Sequence, residues 1–214
     1  MTLKIVYYGP ALSGKTTNLQ AIHQLADGKS TGRLMTLDTK DDRTLFFDLL
    51  PVFFQTANGF KIKLKLFTVP GQVFHNATRR VVLQGADAVA FIADSQIVES
   101  KNNNESFKNL RENLEANGIG WNDIPVVIQF NKRDMPNART DAEIDEMEKR
   151  GGTTIYRAVA IRGDGVMETL FGLLSKTWTN PKYDLEKKFG LKQAEFVDNI
   201  RKSLIAKEAS VGAV

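Results

Sequence analysis

The sequence predicts an α/β fold: a mostly parallel six-stranded sheet with one antiparallel edge strand, helices on both faces, and a C-terminal helical extension. Three observations carry that expectation. Short apolar runs at 3–8, 86–93, 124–130 and 153–158 alternate with stretches whose apolar residues recur at helical spacing, the pattern of βαβ units. Asn58-Gly59 falls between two strand-like runs and marks one hairpin. Gly9 to Thr16 reads G-x-x-x-x-G-K-T and joins the first apolar run to the first amphipathic one.

The run 3–8 is apolar throughout, apart from Lys4, as a buried strand requires. Residues 17–26 carry Leu19, Ile22 and Leu25 at helical spacing, and Asp27-Gly28 ends that helix. From 29 to 43 the chain is polar and irregular, so a long loop is expected. The Phe-rich run 45–55 and the alternating run 60–69 form the hairpin, with Lys61, Lys63 and Lys65 on one side of the second strand. Pro51 in the first strand points to an edge or irregular position. Pro70-Gly71-Gln72 breaks the pattern, and further helices are expected at 73–83, 102–115, 141–149 and 165–176. In the tail, Leu191, Ala194, Val197, Ile200 and Leu204 recur at three- and four-residue steps. Such an amphipathic helix can pack back on the domain, pair with a partner or lie on a membrane surface.

Composition sets the bounds. The 214 residues suit one domain, placed at 1–178, with an appendage at 179–214. With no cysteine, disulfides, thiolate metal sites, prenylation and palmitoylation are excluded. No stretch approaches about 18 uncharged apolar residues. The opening Met1-Thr2-Leu3-Lys4 runs into a strand rather than a signal peptide, so a cytoplasmic protein is expected. The formal charge of +4 is interspersed, with no Lys/Arg block of the kind that tracks nucleic acid.

The Gly9–Thr16 loop carries the chemistry. A turn through Gly9, Ala11, Leu12, Ser13 and Gly14 converges backbone N–H groups on phosphate oxygens. The helix beginning near Lys15, with Thr16 and Thr17 in its first turn, adds the positive end of its dipole. Lys15 would reach the β- and γ-phosphates, and the Thr16 hydroxyl would ligate Mg²⁺. In an open parallel sheet the ligand lies beyond the carboxyl ends of the strands. There the chain places Pro70-Gly71-Gln72, Asn131-Lys132-Arg133-Asp134 and Val159-Ala160-Ile161. An ionised Asp134 accepts two parallel hydrogen bonds, which guanine can donate and adenine cannot. The Lys132 stem can cover the base, and Asn131 would tie this loop to the phosphate loop.

This order of motifs resembles the Ras superfamily of small GTPases, and within it the bacterial MglA-like proteins of cell polarity and gliding motility. Lys4-Ile5-Val6-Tyr7-Tyr8-Gly9-Pro10, Gly14 to Gln20, Asp42 to Asp48 and Thr68-Val69-Pro70-Gly71-Gln72-Val73-Phe74 carry the resemblance, which spans about residues 3–178. It implies a Ras-like domain that binds GTP or GDP with Mg²⁺ and hydrolyses GTP slowly as a monomeric switch. It assigns Thr44 to sensing the γ-phosphate and Mg²⁺, Gly71 to phosphate binding, Arg43 to an intrinsic arginine finger and Gln72 to orienting the attacking water. It also implies a roadblock-fold, MglB-like dimer as activating partner, effectors that read the switch loops, and recruitment to a cell pole or membrane. Two departures stand out. The usual D-x-x-G reads Thr68-x-x-Gly71, a threonine that MglA-like proteins share, and Asp38, Asp41, Asp42 and Asp48 are candidates to supply the missing carboxylate. The base loop retains only Ala160, whose N–H is expected to meet guanine O6, with Val159 and Ile161 beside it. Two rivals remain at this level: a GTP-loaded interaction module with little hydrolysis, and an ATP-using enzyme.

Overall fold

Among the described residues, seven strands form one sheet in the order β2-β3-β4-β1-β5-β6-β7, where β1 is Thr2–Tyr8, β2 Met35–Leu37, β3 Phe47–Gln55, β4 Lys61–Thr68, β5 Ala88–Asp94, β6 Val126–Asn131 and β7 Ile155–Arg157. The helices are α1 (Lys15–Leu25), α2 (Asn76–Leu83), α3 (Ser100–Ala116), α4 (Asp141–Gly151), α5 (Val166–Trp178), α6 (Leu185–Phe189) and α7 (Gln193–Leu204). The computed structural model describes residues 1–37, 47–56, 59–72 and 75–205.

The sheet has seven strands rather than six, because Met35–Leu37 pairs antiparallel with β3. Three residues are too few to display an alternation, so β2 exists through its pairing alone. The hairpin strand β3 is therefore second from the edge and antiparallel to both neighbours, while the other pairs are parallel. Pro51 is accommodated because the β2 ladder stops at Met35↔Leu49. Beyond that point the Pro51 carbonyl accepts the Gly32 N–H at 2.8 Å.

Strand periodicity divides the core in two. Ile5 and Tyr7 of β1 join Leu50, Leu64, Leu66, Leu170 and Leu174 on one face, while Val6 and Tyr8 join Val89, Phe91, Leu110 and Leu114 on the other. Every residue of β5 is buried, as expected of a central parallel strand covered on both faces. A buried amide pair joins layers: Asn18 donates to Gln129 at 2.9 Å, and Gln129 donates to Asn18 at 3.0 Å and to Thr169 at 2.8 Å. It links α1, β6 and α5 with every donor partnered.

The tail helix packs back on the domain. Phe196, Ile200 and Leu204 of α7 are buried, and the Trp178 indole stacks on Phe196 at 3.8 Å. Trp178 Nε1 donates to the Leu191 carbonyl at 3.1 Å. At its far end, the Leu204 carbonyl accepts the Asp27 N–H at 2.9 Å, and the Ser203 carbonyl accepts the Ser30 hydroxyl at 2.9 Å. Phe54 of β3 meets Phe196 at 6.0 Å, so α7 touches both α5 and the β3–β4 hairpin.

Candidate functional site

At the carboxyl ends of β1 and β4 lies a cavity of about 490 Å³, lined from residues 11–17 of the phosphate loop and α1 start, Thr36 of β2, Phe47 and Asp48 of β3, and residues 68–72. Gly14, at the start of α1, has φ of +97°, and a Cβ there would lie 2.1 Å from Asn131 Nδ2. Only glycine fits both that backbone and that approach. Gly71 presses on the loop from the other side, where an added Cβ would stand 2.3 Å from Ala11 Cα. The α1 N-terminus has no side-chain cap and no acidic residue in its first turn, which leaves its leading N–H groups for a ligand. Ser13 Oγ is buried without a partner among the described residues. A cradle of this kind fits the phosphates of a nucleotide.

Lys15 is 7% exposed and donates to the carbonyls of Pro10 at 2.6 Å and Gly9 at 3.1 Å. Burial, and then the nearby Arg79 charge, push its ammonium down to about 7, with Asp48 pulling upward. A buried lysine so disposed favours the arrival of an anion.

Of the four candidate carboxylates, Asp48 lies among the described residues. It is 6% exposed, and three hydroxyls converge on its carboxylate: Thr16 at 2.6 Å, Thr36 at 2.8 Å and Thr68 at 2.9 Å. Thr68 occupies the position where an aspartate is usual in this motif, and Asp48 delivers a carboxylate from the adjacent strand instead. The signal was in the strand period. Residues 48, 50, 52 and 54 share one face of β3, and a lone carboxylate among Leu50, Val52 and Phe54 needs a purpose.

Arg79 is a second buried charge beside the site, one that no motif marks. It is fully buried on α2, and no carboxylate pairs with it among the described residues. Its Nε donates to the Pro70 carbonyl at 2.8 Å, its Nη2 to the Gly71 carbonyl, and its Nη1 to Asn109 Oδ1 at 2.8 Å. Its guanidinium lies 5.1 Å from the Tyr8 ring centroid, and Tyr8 Oη donates to Asn109 at 2.6 Å. Spacing gave a hint here too, since 79, 82 and 83 fall on one helical face with Val82 and Leu83. Because C=O and N–H point oppositely across a trans peptide, holding the Pro70 carbonyl turns the Gly71 N–H away from Arg79.

The loop after β6 is tied to the phosphate loop. Asn131 Nδ2 donates to the Ser13 carbonyl at 2.9 Å, and Asn131 Oδ1 accepts the Ala160 N–H at 2.8 Å. The Ala160 N–H, expected to meet guanine O6, thus donates to Asn131 here. The Ile161 N–H, one residue on, has no partner among the described residues, and the Ile161 side chain is 82% exposed. Val159 is buried, and its N–H donates to the Asp164 carbonyl at 3.0 Å. Lys132, in the left-handed region at φ of +61°, pairs with Asp94 at 2.6 Å. Asp134 is exposed, with no ion pair or side-chain hydrogen bond among the described residues.

The structure thus brings Ala11, Leu12, Gly14, Lys15, Thr16, Thr17, Gly71 and Gln72 to one cavity wall, and links it through Asn131 to the Asp134 loop. Arg43 and Thr44, with Asp38, Asp41 and Asp42, lie outside the described residues.

No family model matches the chain. It is 51% identical over 167 residues to the mutual gliding-motility protein MglA of Myxococcus xanthus, covering 78% of this chain and 86% of that protein. It is also 26% identical over 181 residues to the GTPase Obg of Oceanobacillus iheyensis, covering 81% of this chain and 39% of that protein.

Proposed function

The chain belongs to the MglA family of Ras-like small GTPases, and from that premise we propose that it is a GTP/GDP switch whose segments 29–44 and 71–83 read the γ-phosphate. The observation that carries the proposal is the Asn131–Ser13 bond of 2.9 Å, which holds the guanine-selecting loop and the phosphate cradle in one frame. Asp134 selects guanine through its two donors, and the Ile161 N–H is the backbone donor left for guanine O6. Lys15 and the α1 N-terminus bind the phosphates.

The donors at the cavity fit Mg²⁺, a hard cation that takes oxygen ligands and keeps several waters. Thr16 Oγ1 would be a direct ligand, with Thr44 joining it in the GTP state, and Asp48 would hold the ion's water shell in place of the missing aspartate. When bound, the ion supplies positive charge that neutralises the β- and γ-phosphate oxygens. Gln72 orients the attacking water, Arg43 neutralises charge that develops in transfer, and Arg79 holds the 70–71 backbone on which Gln72 rides. A roadblock-fold, MglB-like dimer is the proposed activator, acting by seating Arg43 and Gln72. The proposed role is control of cell polarity or motility through effectors that read the ordered loops, with recruitment to a pole or membrane by partners. No helix among the described residues is long and apolar enough to cross a membrane.

Single-turnover phosphate release from pre-loaded GTP tests the catalytic assignment. Gln72→Ala and Arg43→Ala should each slow release by at least about tenfold while nucleotide stays bound. Unchanged rates in both would remove these residues from the chemistry.

A further inference from the structure

A second cavity, of about 400 Å³, opens between α3 and α4 over β5, β6 and β7 and shares no lining residue with the first. It arises from how α4 is anchored. That helix buries one residue, Ile144, and ends at Gly151-Gly152, so no side chain from its last turn fills the space. Met147 stays 39% exposed at the margin. The α3 side is an aromatic ladder: Phe91 and Phe107 meet edge-to-face at 5.0 Å and 87°, and Phe107 and Trp121 at 5.3 Å and 75°.

Arg111 stands at the rim. Its guanidinium lies 4.5 Å from the Trp121 ring centroid and 5.9 Å from that of Phe107. No carboxylate pairs with it among the described residues, and its neighbour Glu112 is taken by Lys108 at 3.8 Å. A guanidinium stacked by one face keeps its edge N–H donors free, in a fork that matches a carboxylate. An apolar cavity in the size range of ligand pockets, with a pre-oriented cation at its mouth, specifies its guest by charge as well as shape.

We propose that this cavity is a binding site for a small aromatic carboxylate, with the ring against the Phe91–Phe107–Trp121 ladder and the carboxylate on Arg111. The edge-to-face ladder offers a further ring the same packing geometry. The unpaired guanidinium favours an anionic guest over a neutral one of equal shape.

Isothermal titration of the full chain with 2-naphthoate, and with neutral 2-naphthamide, tests the site. Saturable one-site binding is expected, with Kd for naphthoate on the order of 0.1–1 mM. Arg111→Met should weaken naphthoate about tenfold and leave naphthamide within about twofold. Gly151→Phe, at a position where an added Cβ meets nothing within 4 Å, should abolish binding of both. Retained GDP binding in each variant reports that it has folded. The proposal is overturned by no saturable binding up to about 5 mM, or by naphthoate binding that neither substitution changes.

Discussion

The Thr68 hydroxyl donates to the Asp48 carboxylate at 2.9 Å, and the Asp48 backbone N–H donates back to the same hydroxyl at 2.8 Å. Two adjacent strands thereby exchange the position of one negative charge. The carboxylate that the usual D-x-x-G carries on the strand before the glycine is carried here by the neighbouring strand, still within reach of Thr16. If Asp48 orders the ion's water shell, Asp48→Asn should raise the Mg²⁺ concentration for half-maximal single-turnover hydrolysis by about tenfold or more. Adding Thr68→Asp should recover part of that loss. A Mg²⁺ titration unchanged in Asp48→Asn would assign Asp48 to strand pairing alone.

Lys15 gives a pH dependence with a definite sign. Its ordinary value is 10.5, and burial and Arg79 bring it to about 7. Between those values the unfolded chain binds more protons than the folded one, so this group's contribution to stability rises with pH across that window. Phosphate binding runs the other way, because it needs the ammonium. GDP affinity should fall with pH between about 7.5 and 9, by up to about tenfold per unit, and the slope should vanish in Lys15→Arg, whose guanidinium keeps its proton. Fluorescent-GDP titrations across that range read both. A flat profile in the unmutated protein contradicts the assignment.

Arg79 has two separable effects. Replacing it with Met leaves the Pro70 and Gly71 carbonyls without that donor, while Asn109 Oδ1 keeps the Tyr8 hydroxyl, and should cost about 1–3 kcal/mol of stability. Hydrolysis should fall much further than nucleotide affinity, because the loss falls on the 70–72 backbone rather than the cradle. Asn109→Leu spares the two carbonyl bonds but also takes a hydrogen-bond partner from Tyr8 and Asn76, so it should cost stability while affecting hydrolysis less than the Arg79 change. Urea unfolding alongside single-turnover rates separates them, and equal losses of affinity and rate would argue for a merely structural residue.

How much of this was legible depended on length and period. Long apolar runs such as β5 and β6, and motifs with fixed spacing such as Gly9–Thr16 and Asn131–Asp134, could be placed without coordinates. Met35–Leu37 could not, because a three-residue strand shows no period and forms only against β3. Nor could the Ala160 N–H, whose occupation by Asn131 depends on a contact 29 residues apart. Asp48 and Arg79 were visible in principle as charges on apolar faces. Their partners lie 20 and 32 residues away for the Asp48 carboxylate and Thr68 and Thr16, and 30 for Arg79 and Asn109, distances at which spacing carries no information.

The tail is also testable. Phe196 is fully buried between Trp178 and Phe54, so Phe196→Ala should destabilise the protein by about 3–5 kcal/mol. Equilibrium denaturation followed through tryptophan emission would detect it, since Trp178 loses its stacked neighbour. A change under about 1 kcal/mol would mean that α7 is only loosely held.

The central claim is that one site, framed by Ser13 and Asn131, selects a guanine nucleotide through Asp134. Competition of GDP and ADP for the nucleotide-free protein, repeated with Asp134→Asn, tests it most directly. Strong preference for GDP is expected, by about 10³-fold or more. In the variant GDP should weaken sharply and the xanthine analogue, whose C2 carbonyl replaces the amine, should gain. Comparable binding of ADP and GDP, or a preference unmoved by Asp134→Asn, would contradict it.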